Sequence, residues 1–277
     1  MAGVLKCGRF TLQLDRPLIM GVVNVTPDSF SDGGRFAEAS HAIAHARRLV
    51  EEGADILDIG GESTRPGSAP VPIEEERRRV LPVLEGLSAC GVPVAVDTRK
   101  TQLMQDALAA GASVINDITA LGAAGALEAV ASSEAAVCLM HMRGDPRTMQ
   151  DAPAYDDVVQ EVHDFLQERV AAAVAAGIQH ARIVVDPGFG FGKTLEHNLA
   201  LLRELRGFAG LGGALLAGIS RKTMLGRLTG REVGDRVHAS VAAALLAVKN
   251  GANIVRVHDV AATRDALAVW QAVMRNG

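Results

Sequence analysis

Eight short runs of β-branched and aliphatic residues alternate with longer, Ala-rich amphipathic stretches along almost the whole chain, and no other feature narrows the fold as much. This alternation is the pattern of a parallel sheet wrapped by helices. The runs fall at 18–23, 56–59, 94–96, 113–115, 136–140, 182–185, 215–219 and 254–257. Helical stretches are expected at 39–51, 73–89, 101–110, 156–175, 195–205, 235–249 and 261–274. Eight such units within 277 residues suit a closed (β/α)8 TIM barrel, whereas a doubly wound sheet usually has fewer strands in one domain. One junction is used three times: Gly53-Ala54-Asp55-Ile56-Leu57, Gly111-Ala112-Ser113-Val114-Ile115 and Gly251-Ala252-Asn253-Ile254-Val255. Each Gly suits a left-handed helix cap, and a buried strand starts soon after it. The alternating segment 4–14 predicts a short N-terminal hairpin covering the bottom of the barrel. No linker or low-complexity stretch divides the chain, so residues 1–277 read as one domain.

Charge and cysteine usage narrow the function. With 28 Lys and Arg against 32 Asp and Glu, the formal charge is -4, which leaves no electrostatic footprint for nucleic acid. Any basic site must be local. Cys7, Cys90 and Cys138 are widely spaced and form no Cys-x-x-Cys pair, as expected of reduced thiols in a cytoplasmic protein. The start of the chain has no apolar run of signal-peptide length. The longest uncharged stretch, within 207–221, is Gly-rich and shorter than the ~20 apolar residues a membrane helix needs.

Parallel strands buried on both faces should be apolar throughout, yet these end in polar residues: Asn24, Asp58, Asp97, Asn116, His141, Asp186, Ser220 and the Arg256, His258, Asp259 group. One polar strand end is ordinarily a residue meeting solvent. Eight of them converging on the rim where this fold builds its active sites point to a site instead. The loop Asn24-Val25-Thr26-Pro27-Asp28-Ser29-Phe30-Ser31-Asp32-Gly33-Gly34 is longer than an ordinary βα loop and reads as a lid with Phe30 at its tip, and Asn24 offers an oxygen to a hard cation. In Gly60-Gly61-Glu62-Ser63-Thr64-Arg65-Pro66-Gly67, Thr64 brings a hydroxyl and Arg65 a planar fork for phosphate or carboxylate.

Gly192-Lys193-Thr194 looks like the end of a P-loop, but five residues before Gly192 stands Pro187, which has no N–H for a phosphate cradle. Ser220-Arg221-Lys222 and Arg256-Val257-His258 supply the cations of the rim, and Arg256 and His258 lie where this fold often holds anions. His41, His45, His163, His180, His197 and His238 lack ligand spacing and read as surface or supporting groups, and no His/Cys cluster suits zinc. Glu74-Glu75-Glu76-Arg77-Arg78-Arg79 places acids before bases at a helix start, as the helix dipole favours, and reads as a solvated face.

Taken in order, the motifs 20–34, 57–67, 186–193, 220–222 and 256–260 resemble those of the dihydropteroate synthases. The resemblance covers nearly the whole chain. It implies a pterin-binding barrel, commonly a homodimer, that joins 6-hydroxymethyl-7,8-dihydropterin diphosphate to p-aminobenzoate with Mg²⁺ in folate biosynthesis. By motif, Asp97, Asn116, Asp186 and Lys222 would hold the pterin. Asn24, Thr64, Arg256 and His258 would serve the diphosphate, with Asn24 on the metal. Phe30, Arg65, Pro66, Phe191 and Ser220 would frame the aminobenzoate. Lys222, Arg256 and His258 would carry the catalysis, as electrostatics and positioning without a covalent nucleophile. A non-catalytic pterin-binding paralogue and a pterin-dependent methyltransferase are the alternative readings. The first would be expected to lack part of the loops, and the second the Ser-Arg-Lys and Arg-x-His motifs.

Overall fold

The computed structural model describes residues 3–25, 34–63 and 67–275. Strands β1 (Val4–Cys7) and β2 (Phe10–Gln13) form an antiparallel hairpin. The remaining strands are β3 (Leu18–Asn24), β4 (Ile56–Gly60), β5 (Val94–Asp97), β6 (Val114–Asp117), β7 (Ala136–Met140), β8 (Ile183–Asp186), β9 (Ala214–Ala217) and β10 (Ile254–Val257). They close into a parallel barrel in the order β10-β3-β4-β5-β6-β7-β8-β9. Around it lie α1 (Gly34–Glu51), α2 (Ile73–Gly86), α3 (Thr101–Ala109), α4 (Ala126–Ala131), α5 (Val158–Ala175), α6 (Leu195–Arg203), α7 (Thr223–Thr229), α8 (Val237–Lys249) and α9 (Val260–Arg275).

The expected (β/α)8 architecture is the observed one, and the differences are local. Helices α4 and α7 were not foreseen, because six and seven residues are too few for a 3.6-residue period to be read. The run 215–219 leaves the sheet at Ala217, and the helix expected to reach residue 89 stops at Gly86.

The repeated Gly junction behaves as its sequence implies. Gly53, Gly111 and Gly251 have φ of +100°, +95° and +104°. The next residue's N–H reaches back to close the helix: Ala54 to Leu49 O and Ala112 to Ala107 O at 2.9 Å, and Ala252 to Ala247 O at 3.0 Å. This six-to-one bond satisfies a carbonyl that the helix end would otherwise orphan. Gly177, at φ +96°, ends α5 in the same way through Ile178 N to Ala173 O. The differing sequence after it hides the kinship.

Alternation along each strand divides the core in two. Ile19, Leu57, Ile59, Val96, Ile115, Val137, Leu139, Val185 and Val255 face the helices. The other parity fills the barrel: Leu18, Met20, Ile56, Ala95, Val114, Ala136, Cys138, Val184, Leu216 and Ile254. Leu5 and Cys7 of the hairpin are buried with this inner set, and Phe10, Leu12 and Leu14 pack against it. The hairpin thus plugs the amino-terminal mouth of the barrel. Only the carboxyl-terminal mouth is left for chemistry.

Candidate active site

The inward parity that is aliphatic low in the barrel becomes polar at its top. In β4 the inward series runs Ile56, Asp58, in β5 Ala95, Asp97, in β6 Val114, Asn116, in β8 Val184, Asp186, and in β10 Ile254, Arg256. These five polar side chains come from strands spread over 198 residues of sequence, from Asp58 to Arg256, and meet in one place. Register sets their depth: Asp58 lies opposite Ala95, while Asp97 lies opposite Gly60 and Asn116, so Asp58 sits one layer lower.

Arg256 is the hub. Its Nε donates to Asp58 Oδ2 at 2.6 Å and its Nη2 to Asp97 Oδ2 at 3.1 Å. Asn116 Nδ2 also donates to Asp58 Oδ2, at 3.1 Å. Asp58 is wholly buried, and its Oδ1 has no hydrogen-bond partner among the described residues. An unpaired buried acceptor costs about 1–3 kcal/mol, so this atom marks a place where stability is not the first concern. Burial and the neighbouring Asp58 charge push Asp97 up to about 8 while Arg256 opposes them. The two carboxylates hold Arg256 above its usual value against its own desolvation.

Asp186 and Lys222 complete the mouth. Asp186 Oδ1 accepts the Gly188 N–H at 2.8 Å, and burial raises its pKa although Lys222 pulls it down. Lys222, at the start of α7, donates to Phe189 O and stands 4.4 Å from the centre of the Phe191 ring. Burial lowers it to about 8 despite the attraction of Asp186. A Cβ placed on Gly218 would lie 3.8 Å from both Asp186 Oδ2 and Arg256 Cβ, so these opposite charges line one mouth and a side chain at 218 would intrude on it.

The motif Ser220-Arg221-Lys222 divides its labour. Ser220 Oγ is 3.0 Å from His258 Nδ1 and accepts the His258 N–H at 3.2 Å. Arg221 turns elsewhere, into a double ion pair with Asp259 at 2.5 and 3.0 Å, so it is not the free cation its motif suggested. It does so from a left-handed backbone, φ +59°, held by its N–H to Ser240 Oγ and its carbonyl to Arg236 Nη1. Beside it a cleft of about 520 Å³ is lined in part by Asn24, His45, Arg48, Arg221, His258 and Asp259. His45 therefore stands closer to the chemistry than its helical position indicated. Phe30, Thr64, Arg65 and Pro66 lie outside the described residues.

Several supporting residues escaped the sequence reading. Lys193 is no phosphate ligand: its Nζ is buried and donates to His141 Nδ1 (2.9 Å), Gly188 O (3.0 Å) and Phe191 O (2.9 Å). It fastens the loop after β8 to the one after β7. Burial and the nearby Lys193 push His141 down to about 2, so the imidazole is neutral and accepts. Asn198 Oδ1 takes the Gly190 N–H at 2.7 Å. Thr194 caps α6 in a capping box with His197. Glu62, at the foot of the loop after β4, pairs with Arg99 and Lys100, and Lys100 also meets the buried Glu76. The charge run at 74–79 is thus only partly a solvated face. Asp58 stands among the polar strand ends and parity could have placed it beneath Asp97, but nothing local shows that Lys193 is a buried tie between two loops.

The pattern of the family described as pterin binding enzyme matches residues 20–258. A dihydropteroate synthase of Neisseria meningitidis serogroup B is 55% identical, the match covering 98% of this chain and 97% of that protein. The structure of Xanthomonas albilineans dihydropteroate synthase with 4-aminobenzoic acid superposes with a TM-score of 0.93 at 57% identity, covering 99% of both chains. That of the Burkholderia cenocepacia dihydropteroate synthase complexed with 7,8-dihydropteroate gives 0.91 at 50% identity, over 99% of this chain and 98% of the other.

Proposed function

The chain belongs to the dihydropteroate synthase family of pterin-binding enzymes, and we propose from that premise how its barrel mouth works. The enzyme is a transferase of folate biosynthesis. It breaks the C–O bond between the dihydropterinylmethyl group and diphosphate and joins the carbon to the amine of p-aminobenzoate, which gives up one proton to water. The observation that carries the site reading is the convergence of Asp97, Asn116, Asp186 and Lys222 around Arg256.

A pterin presents adjacent N–H donors, and the carboxyl oxygens of Asp186 and Asp97 are placed to accept them. Protonated Lys222 answers the ring's acceptors and neutralises Asp186. The deep pocket thereby fixes the ring, and the methylene carbon points toward the cleft that holds Asn24 and His258. There His258, braced by Ser220, and the Arg256 nitrogen not bound by acids stabilise the departing diphosphate. Thr64 would join them. Phe30, Arg65, Pro66, Phe191 and Ser220 are assigned to the aminobenzoate. Phe191 next to Lys222 supports the idea that the two substrates meet there.

Mg²⁺ belongs to this reading. The ion prefers oxygen ligands and commonly takes only one or two from protein, the rest from substrate phosphate and water, which suits Asn24 Oδ1 at the edge of the cleft. Bound there, it would neutralise charge on the leaving diphosphate. We also assign the protein a homodimeric state, supported by exposed Leu246 on α8 and Val269, Val273 and Met274 on α9. A reducing cytoplasm agrees with its three free thiols, and no helix of the described residues is long and apolar enough to cross a membrane. A coupled diphosphate-release assay tests the whole. Product should form only when pterin diphosphate, p-aminobenzoate and Mg²⁺ are all present, and full activity in EDTA would remove the metal from the scheme.

A further inference from the structure

We propose that Asp58 is a positioning residue that sets the specificity of the pterin pocket: by accepting from Asn116 Nδ2 and Arg256 Nε it fixes which way round the Asn116 amide lies and where the guanidinium sits. This inference rests on reading the mouth as a pterin site. An asparagine amide has a donor end and an acceptor end of nearly identical shape, and only its neighbours decide between them. Asp58 Oδ2 faces the Arg256 Nε–H, which can only donate, so this oxygen is an acceptor and the end of Asn116 that meets it is its NH₂. Oδ1 is then held on the other side. With Asp97 and Asp186 beside it, the pocket presents acceptors to a heterocycle whose edge carries donors.

Asp58 cannot itself touch the substrate with ease. It lies one layer beneath Asp97, is wholly buried, and its Oδ2 is shared between two donors. It acts through the groups above it. The orphaned Oδ1 argues in the same direction, because a carboxylate kept for stability would have both oxygens satisfied. Replacing Asp58 by alanine removes the acceptor on which Asn116 Nδ2 and Arg256 Nε both converge. The amide above is then free to invert.

The test compares binding of 6-hydroxymethylpterin with that of its 2-oxo counterpart, in which an acceptor replaces the 2-amino donor. Wild-type protein should prefer the pterin by about 100-fold or more, since a site built to pair a substrate group rejects an analogue that leaves its polar groups unpaired. Asp58→Ala should lower that ratio about tenfold. In an Asn116→Ala background the same substitution should leave the ratio unchanged, because the amide whose orientation sets the specificity is gone, and any effect through Arg256 weakens both ligands alike. Equal weakening of both ligands by Asp58→Ala, with the ratio kept, would mean a merely structural role and overturn the inference. So would an equal drop in the Asn116→Ala background. Should Asp58→Ala not fold, ¹⁵N-Asn spectra of the wild type decide: the Asn116 amide protons should be protected from solvent exchange, and rapid exchange would refute a fixed amide. Absence of any pterin binding by the wild type would instead refute the site reading.

Discussion

Burial pushes the Lys222 ammonium down to about 8, even with Asp186 attracting it, so its charge is available only below that pH. A lysine whose pKa is depressed is protonated beneath it and neutral above. Asp97 is pushed up to about 8 as well, so the test uses an Asp97→Asn background: there pterin affinity, measured by calorimetric titration from pH 6.5 to 9.5, should fall as pH rises through about 8. Lys222→Arg should flatten the fall, since guanidinium keeps its proton. Lys222→Ala should abolish measurable pterin binding while the folding transition persists. An unchanged affinity in Lys222→Ala would remove this residue from the pocket. The contrast with Lys193 is instructive. That lysine carries the sequence dressing of a phosphate-binding loop, yet it is enclosed by carbonyls and a neutral imidazole. Neighbours in space, not flanking glycines, decide what a lysine does.

At the scale of the element, each strand carries out two tasks through one alternation. Its outward residues seat the helices, and its inward ones fill the barrel until the last layer, where polar groups replace aliphatics. The helices are then held by their ends. Asp157 caps α5 by accepting from Val159 N at 2.9 Å and Gln160 N at 3.1 Å. Asp157→Ala should cost about 1 kcal/mol. For a chain of this size that is a drop of roughly 2–4 °C in Tm by calorimetry. Transferase activity should stay at the wild-type level, because the cap is exposed and belongs to the scaffold. A loss of activity without a loss of stability would show that α5 also shapes the mouth.

At the scale of the molecule, the hairpin closes one end of the barrel and the polar layer opens the other, so substrates have a single approach. The flank formed by α8 and α9 leaves Leu246, Val269, Val273 and Met274 exposed. Val269 and Val273 are four residues apart and share a helical face. Sedimentation velocity at micromolar concentration should give a dimer, and Val273→Glu should shift it toward monomer by at least about tenfold in Kd, since a buried unpaired carboxylate is costly. A wild type that sediments as a monomer would end the dimer assignment.

The order of strands and helices, the hairpin plug and the family were legible in the sequence because each rests on local regularities: a period of two, a period of 3.6, a left-handed Gly, a run of motifs. The inward parity of Asp58, Asp97, Asn116, Asp186 and Arg256 is equally local, since successive side chains of a strand must alternate. What only the tertiary structure decided is who pairs with whom. Arg256 reaches Asp58 across 198 residues of sequence and Asp97 across 159, while Arg221, one residue before Lys222, spends its charge on Asp259. Those partnerships depend on the stagger with which eight strands close and on the desolvation of charges that closure buries. Neither quantity exists until the barrel does.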